Sequence, residues 1–126
     1  GDIALSVLGT VIGHRPDQGW TLIDAGWMAM SRDRGTAGQA VDQGYGLVCD
    51  VNGQPLDDLV MVGANQEHGI VAHRSRKVEG ALHLPVGTQL RILPNHACST
   101  AAQYGEYKVI AGGDRVTDTW KRFSGW

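Results

Sequence analysis

His96 and Cys98 stand two residues apart in the stretch LPNHACSTA, directly after a run of strand-forming residues. Side chains at positions i and i+2 of an extended chain point to the same side, so an imidazole and a thiolate could reach one point if the strand continues through them. Both groups are ligands that suit zinc. Spacing alone favours the alternative, a satisfied histidine beside a buried cysteine, because free cysteine is commonly buried.

A metal held by this pair would form an open site rather than a closed structural one. Structural zinc normally takes four protein ligands, and Cys49 is the only other cysteine in the chain. An open site leaves positions for water or substrate, as Lewis-acid catalysis requires. His96 and Cys98 are therefore the candidate metal ligands, while no residue pattern identifies a catalytic acid or base.

Two further polar clusters could support such a site. The first is NQEHG, which sets Glu67 and His68 inside a strand-like run. They could supply supporting hydrogen bonds or an acid–base group, although a β-bulge with exposed side chains is the simpler interpretation. The second cluster contains Asp24, Ser31 and Asp33, which turn chemistry alone would explain.

The remaining histidines and the tryptophans carry no chemical assignment. The histidines at 14, 73 and 83 lie beside turns or charged residues and are expected to be exposed to solvent. No spacing groups the four tryptophans, so we expect core or interface anchors rather than a ligand cage. These residues are His14, His73, His83, Trp20, Trp27, Trp120 and Trp126.

The elements that must position the pair are predicted to be short strands. Eighteen glycines against four prolines, with many β-branched residues, indicate an all-β fold. A chain of 126 residues has the size of one domain. We expect a single domain over residues 1–126, a small β-barrel or sandwich-like structure with one or two short helical turns.

Turn residues divide the chain into these strands. PDQG predicts a hairpin near the start, a long glycine-rich loop follows over residues 26–44 and is expected to lie near a site, and Asn52-Gly53 predicts a second hairpin. Gly63 and Gly69 are candidate bulges or bends. Ser99 or Thr100 could cap one helical turn that stops at Gly105, and two strands around a Gly-Gly-Asp turn close the chain.

Charge and composition exclude several partners. The formal net charge of −2 provides no basic field for nucleic acid or an anionic membrane, and no apolar run is long enough to span a bilayer. The opening residues lack the layout of a signal peptide. Two distant cysteines are expected to be free thiols in a reducing compartment, which predicts a cytoplasmic location. The glycine-rich segments lack a phosphate-cradle pattern.

An ordered series of motifs carries a family resemblance over essentially the whole chain. The stretches are ALSVLGTVIGHRP, LIDAGWMAMSRDRG, VGANQEHG, LPVGTQLRILPNHACSTA and VTDTWKRFSGW. Together they resemble the C-terminal β-domain of the metal-activated, pyridoxal-phosphate-dependent D-serine dehydratases and D-threonine aldolases. That family has an alanine-racemase-like fold, a barrel of alternating β and α elements followed by a β-domain, and only the β-domain has a counterpart here.

The resemblance implies roles for the opening pair. His96 and Cys98 match the family's metal ligands, with zinc as the implied metal and manganese or another divalent ion as alternatives. Aldolases of the family carry aspartate at the second ligand position, so Cys98 favours the dehydratase branch. The family's pyridoxal phosphate and Schiff-base lysine belong mainly to the barrel domain, and Lys77, Lys108 and Lys121 match no motif for either.

The implied function is the conversion of D-serine, or a related β-hydroxy D-amino acid, to pyruvate and ammonia. The metal would coordinate the β-hydroxyl and help to expel it. We expect the 126-residue chain alone to be inactive, and the full enzyme to be a homodimer that binds neither nucleic acid nor membrane. The alternatives are retro-aldol cleavage of β-hydroxy D-amino acids and a non-catalytic module for binding or dimerisation.

Overall fold

Six antiparallel strands close into a barrel. The structure, a computed structural model, describes residues 3–78 and 83–125. The barrel order is β1-β2-β5-β4-β3-β6, and a separate two-stranded sheet pairs β7 with β8. The elements are β1 (Val7–Arg15), β2 (Trp20–Ile23), β3 (Gly46–Cys49), β4 (Pro55–Ala64), β5 (Gly69–His73), β6 (Gln89–Pro94), α1 (Ala97–Ala102), β7 (Glu106–Ile110) and β8 (Val116–Lys121). The predicted all-β barrel with a short helical turn is confirmed.

The barrel interior is filled by the apolar side chains that alternate along the strands. In β1, Val7 and Val11 point inward and are buried, whereas Leu8 and Ile12 are exposed. Every other residue of a strand faces the same side, so this alternation lines one face with apolar groups. The core cluster comprises Val7, Val11, Ile23, Ala25, Met30, Val48, Leu59, Met61, Val71, Leu84, Leu90 and Ile92.

Irregularities in strand register help so small a barrel to close. The pairing shifts between Val11 and Gly13 in β1, between Leu47 and Cys49 in β3, and between Met61 and Gly63 in β4. An extra residue in one strand bends it and increases its twist, as closure requires. The shift at Gly63 confirms a bulge there. No shift occurs at Gly69, where an added Cβ would instead lie 2.6 Å from the Ala25 carbonyl oxygen.

The turns follow the local chemistry of the sequence. The segment before Trp20 joins β1 to β2 as an antiparallel hairpin, as predicted. The Asn52-Gly53 turn joins β3 to β4, with Gly53 at a φ of 83° that favours glycine. Gly112 and Gly113 also have positive φ and lie in the turn between β7 and β8. These three hairpins are confirmed.

The helical turn after β6 begins earlier than predicted. His96 is the N-cap residue, and α1 ends at Ala102 with Gln103 as C-cap. The expectation that Ser99 or Thr100 caps the turn, and that the turn stops at Gly105, is therefore wrong. The Ser99 hydroxyl instead donates to Asp33, and the Thr100 hydroxyl donates to the His96 carbonyl.

In the part of the chain that the structure describes, no helix is long and apolar enough to cross a membrane.

Replacement of Ile92 by alanine tests the position of the core. Ile92 is fully buried where β6 pairs with both β1 and β3. We expect Ile92→Ala to lower the free energy of unfolding by about 2–5 kcal/mol, because it removes buried methyl groups and leaves a cavity. Leu8→Ala, on the outer face of β1, is the control and should cost less than about 1 kcal/mol. Urea unfolding measures both values, and equal losses would contradict this assignment.

Candidate metal centre

The end of β6 places His96 and Cys98 on the first turn of α1. The backbone N–H of Asn95 donates to the Tyr45 carbonyl (3.1 Å) just beyond the last strand pair. His96 is still extended, with φ −126° and ψ 96°, and Cys98 is already helical. The extended geometry therefore stops at His96, and the two side chains share a helical turn rather than one face of a strand.

Both candidate ligands reach solvent. The His96 side chain is 42% exposed, and Cys98 is exposed whereas Cys49 is buried in the barrel. Both thiols are free, as predicted. Burial raises the pKa of the Cys49 thiol, which keeps that thiol in its protonated and less nucleophilic form. The alternative of a histidine beside a buried cysteine is wrong, because the neighbouring cysteine is not buried.

Asp33, which is distant in sequence, lies beside His96 in the fold. One carboxylate oxygen, Oδ2, lies 2.5 Å from Nδ1 of His96, and the Ser99 hydroxyl donates to the same oxygen at 3.2 Å. The hydrogen bond from His96, followed by that from Ser99, holds the pKa of Asp33 below its ordinary value. Asp33 is therefore an ionised acceptor in this contact, and it lies 63 residues before its partner.

Asp33 belongs to the long connection between β2 and β3, residues 24–45, which contains the glycine-rich segment 26–44 and contacts the candidate ligand His96. Asn95, the residue before His96, forms hydrogen bonds that hold this loop in place. The side-chain amide of Asn95 donates to the Thr36 hydroxyl (2.8 Å) and to the Gly44 carbonyl (2.6 Å). One residue thus joins the end of β6 to two points of the loop.

Asp42 organises the second half of the loop. Its carboxylate accepts the backbone N–H of Gly44 at 2.8 Å and the Thr36 hydroxyl at 3.3 Å, and it pairs with Arg34. The bond from Gly44 is the main cause that lowers the pKa of Asp42, and Arg34 adds to it. Gly44 has a φ of 60°, and a Cβ there would lie 2.5 Å from the Met61 carbonyl oxygen.

The first half of the loop is held from two other directions. The Trp27 N–H donates to the Asn65 carbonyl (2.7 Å), and the Met28 N–H donates to the Gln66 carbonyl (3.2 Å). The Tyr104 hydroxyl, which follows α1, donates to the Ala29 carbonyl at 2.5 Å. The loop segment that leads to Asp33 is therefore fixed between the β4–β5 turn and the residues after α1.

The NQEHG cluster forms that β4–β5 turn and does not contact His96. Asn65 bonds to His68 through both backbone (2.9 Å) and side chains (2.9 Å), while Glu67 is exposed. Its backbone carbonyls support the loop. The expected β-bulge is wrong, because the cluster is a turn whose flanking residues Ala64 and Gly69 pair without a shift, and His68 is half-buried rather than exposed. Asp24 accepts the Thr10 N–H at 2.6 Å, and Ser31 accepts the Asp33 N–H at 3.0 Å. Of this second cluster, only Asp33 contacts His96 directly.

The other aromatic and histidine expectations are met in part. His83 is exposed as predicted, but His14 is half-buried with Nε2 2.7 Å from the Leu84 carbonyl oxygen, and His73 is half-buried with Ser75 as its partner. Trp20 and Trp27 are half-buried, and Trp120 is 60% exposed, so none of these three is a core anchor. Trp126 lies outside the described residues.

The donor set matches an open site and not a closed one. Within residues 3–78 and 83–125, no group of three or more His, Cys, Asp or Glu side chains is arranged to hold a metal ion. The imidazole of His96 and the thiol of Cys98 are exposed donors of the N and S type that zinc prefers. His96 and Cys98 therefore fit an open metal site, in which the described residues provide two donors and leave the remaining positions free.

Comparison with known proteins covers nearly the whole chain. The family model described as "Putative serine dehydratase domain" matches residues 4–110. D-threo-3-hydroxyaspartate dehydratase from Delftia sp. HT23 is 57% identical over 99% of this chain and 33% of that protein. Its solved structure aligns with a TM-score of 0.89 over 98% of this chain and 33% of its own. Structures of this relative include a cysteine-to-alanine variant in the metal-free form and a histidine-to-alanine variant.

Two further proteins resemble the chain at lower identity. D-serine dehydratase from Schizosaccharomyces pombe is 33% identical over 99% of this chain and 28% of that protein. An alanine-racemase-like protein from Idiomarina loihiensis is 47% identical, with a TM-score of 0.80 over 96% of this chain and 32% of its own. The chain thus spans about a third of the length of the curated relatives it matches.

Asp42→Asn tests the electrostatic anchoring of the loop. The pKa of Asp42 is depressed in the folded state, so its ionised form stabilises the fold above the ordinary carboxyl pKa of about 4, and this contribution disappears as the pH falls through the folded-state pKa. We expect Asp42→Asn to be less stable than the parent at neutral pH. The difference should shrink towards zero in acid.

Urea unfolding at a series of pH values measures this difference. Asp17→Asn, an equal change of charge in the exposed β1–β2 turn, is the control and should lower stability less at neutral pH. A gap between Asp42→Asn and the parent that is the same at every pH would contradict the electrostatic explanation.

Proposed function

The chain belongs to the serine dehydratase domain family, and we propose that it is the metal-binding β-domain of a pyridoxal-phosphate-dependent enzyme that dehydrates β-hydroxy D-amino acids. The observation that carries the proposal is the exposed His96 and Cys98 pair at the end of β6, in a chain 57% identical to a known dehydratase. We infer that residues 1–126 act as one domain of this larger enzyme.

The ligand assignment is supported by the variants of the Delftia relative. The histidine and the cysteine that were substituted in that protein are two residues apart, which is the spacing of His96 and Cys98. The cysteine variant of that protein is in a metal-free form. We infer that His96 and Cys98 hold a divalent metal, with zinc favoured by the thiolate donor and manganese as an alternative.

A metal at this position would supply Lewis acidity to the β-hydroxyl of the substrate. The chain itself would hold the backbone of the ligand His96 in a fixed position. The backbone of His96 is fixed where β6 ends, and both the N–H (3.2 Å) and the hydroxyl (2.9 Å) of Thr100 donate to its carbonyl. The exposure of both ligand side chains leaves their outer side open to a substrate and to a second domain.

Pyridoxal phosphate would be bound mainly outside this chain, by a barrel domain. The chain carries no motif for the cofactor's phosphate or lysine, and it spans only a third of the Delftia relative. Support for a covering domain comes from the β7–β8 sheet, where Val116 and Trp120 are 51% and 60% exposed and the following Phe123 is 94% exposed. A two-stranded sheet is marginally stable alone in water, so we infer that the barrel domain covers it.

We also infer that the complete enzyme is a homodimer and is located in the cytoplasm.

D-serine is the proposed substrate because the family model describes a serine dehydratase domain. D-threo-3-hydroxyaspartate is the second candidate. The second is favoured by the identity to the Delftia dehydratase, 57% against 33% for the D-serine dehydratase from S. pombe. Both reactions expel a β-hydroxyl and share one chemistry. Retro-aldol cleavage is a weaker alternative because position 98 is cysteine rather than aspartate, and an exposed, intact ligand pair argues against a non-catalytic module.

Loss of either ligand should remove the metal. We expect His96→Ala and Cys98→Ala in the complete enzyme to lose most bound zinc and most dehydratase activity, since two protein donors cannot be reduced to one without a large loss of affinity. Cys49→Ala is the control, because its thiol is buried in the barrel and should not affect the zinc content. Metal analysis of the purified proteins gives the stoichiometry. Unchanged zinc in both ligand variants would refute the assignment.

The products separate the two lyase branches. A dehydratase should release ammonia and a keto acid: pyruvate from D-serine, oxaloacetate from D-threo-3-hydroxyaspartate and 2-oxobutyrate from any turnover of D-threonine. An aldolase would instead form glycine and acetaldehyde from D-threonine. Chromatographic analysis of each reaction identifies the products, with the metal-chelated enzyme as control. Glycine as the main product would overturn the dehydratase proposal.

A further inference from the structure

Asp33 is the one described side chain outside α1 that bonds to a candidate ligand ring. We propose that Asp33 is a positioning residue that keeps His96 in the tautomer with the proton on Nδ1, so that Nε2 is the nitrogen presented to the metal. The inference rests on the proposed function, because it concerns how this chain prepares one ligand of that site.

The direction of the hydrogen bond follows from its chemistry. An aspartate side chain of ordinary acidity is a carboxylate at neutral pH and has no proton to donate, so the proton in the 2.5 Å contact between Oδ2 of Asp33 and Nδ1 of His96 belongs to the imidazole. The Ser99 hydroxyl donates to the same Asp33 oxygen and therefore also points its proton away from His96. A neutral imidazole with its proton on Nδ1 has its lone pair on Nε2, the form that a metal ligand requires.

The contact is built into the fold. Asp33 lies in an exposed part of the β2–β3 loop, and the chain on either side of it is anchored beside His96. Asn95, the residue before His96, bonds to Thr36 and Gly44, and Tyr104 bonds to Ala29. These bonds set the distance between the loop and the end of β6 without involving Asp33, which indicates that the carboxylate is held at the imidazole.

Asp33 also restricts the rotation of the His96 imidazole, which the fixed backbone does not restrict. Thr100 fixes the carbonyl of His96 with two donors, but the bonds to that carbonyl do not restrict the imidazole. Among the described residues, the polar partners of the ring are Asp33 and Ser99, both at Nδ1. A fixed ring with one defined tautomer lowers the entropic cost of metal binding, since the ligand need not reorient.

The first experiment reads the tautomer directly in the complete, metal-free enzyme labelled with ¹⁵N-histidine. Long-range ¹H–¹⁵N correlation spectra distinguish Nδ1–H from Nε2–H, and loss of a signal in His96→Asn assigns His96. We expect Nδ1–H in the parent and in Asp33→Asn, whose side-chain oxygen can still accept the proton. Asp33→Ala should shift the population towards Nε2–H. The Nδ1–H signal should persist when zinc is added to the parent.

The second experiment measures zinc affinity by competition with a chromophoric chelator. Residues that orient a metal-bound histidine typically contribute about 10–100-fold to affinity, so Asp33→Ala should weaken zinc binding by about that factor and Asp33→Asn by less. Asp17→Asn, which removes an exposed carboxylate in the β1–β2 turn, should bind zinc like the parent.

The two proposals fail in different ways. If the parent and Cys98→Ala bind zinc equally weakly, the metal centre itself is refuted. If Cys98→Ala loses zinc while Asp33→Ala keeps both the parent tautomer and the parent affinity, the centre is supported and the role of Asp33 is overturned. An Nδ1–H signal that disappears when zinc is added to the parent would also overturn it, because the metal would then occupy the nitrogen assigned to Asp33.

Discussion

The pairing of β6 with two neighbours at once is the constraint on which the centre depends. In a closed barrel no strand has a free edge, and β6 is bonded to β1 on one side and to β3 on the other. Ile92 sits in the core between Val7 and Val48, so β6 cannot slide by one residue without turning its buried face outward. The point at which the chain leaves the barrel is thereby set, and His96 follows that point by two residues.

The β2–β3 loop is positioned in a different way from the strands. Residues 24–45 contain no strand or helix, so the loop's backbone groups are not paired in a continuous ladder. Hydrogen bonds to polar side chains take the place of such a ladder. Asn95 donates two of them from the end of β6, and Asp42 accepts others from within the loop. Several directed bonds of this kind are required to order so long a loop. Long loops in compact domains are commonly functional, and this one carries Asp33.

Much of the fold could be predicted from local sequence, because each feature depends on neighbours in the chain. Alternation in β1, the Asn52-Gly53 turn and the glycine at the β4 bulge are local signals, and each was confirmed. The contact between Asp33 and His96 could not be predicted, since it spans 63 residues and depends on where β6 ends relative to the loop. The start of α1 could not be predicted either, because the hydroxyls of Ser99 and Thr100 bond to Asp33 and to the His96 carbonyl instead of capping the helix.

The chemistry of position 98 links the fold to the choice of metal. A thiolate is a soft donor that favours zinc, whereas a carboxylate favours harder ions such as manganese or magnesium. Because α1 begins directly after His96, the backbone at Cys98 is fixed by the same turn whatever side chain it carries. A substitution at position 98 would change the donor atom without requiring the barrel strands to repack. The proposed preference for zinc therefore depends less on the fold, which a relative with other chemistry could share, than on the exposed sulfur of Cys98.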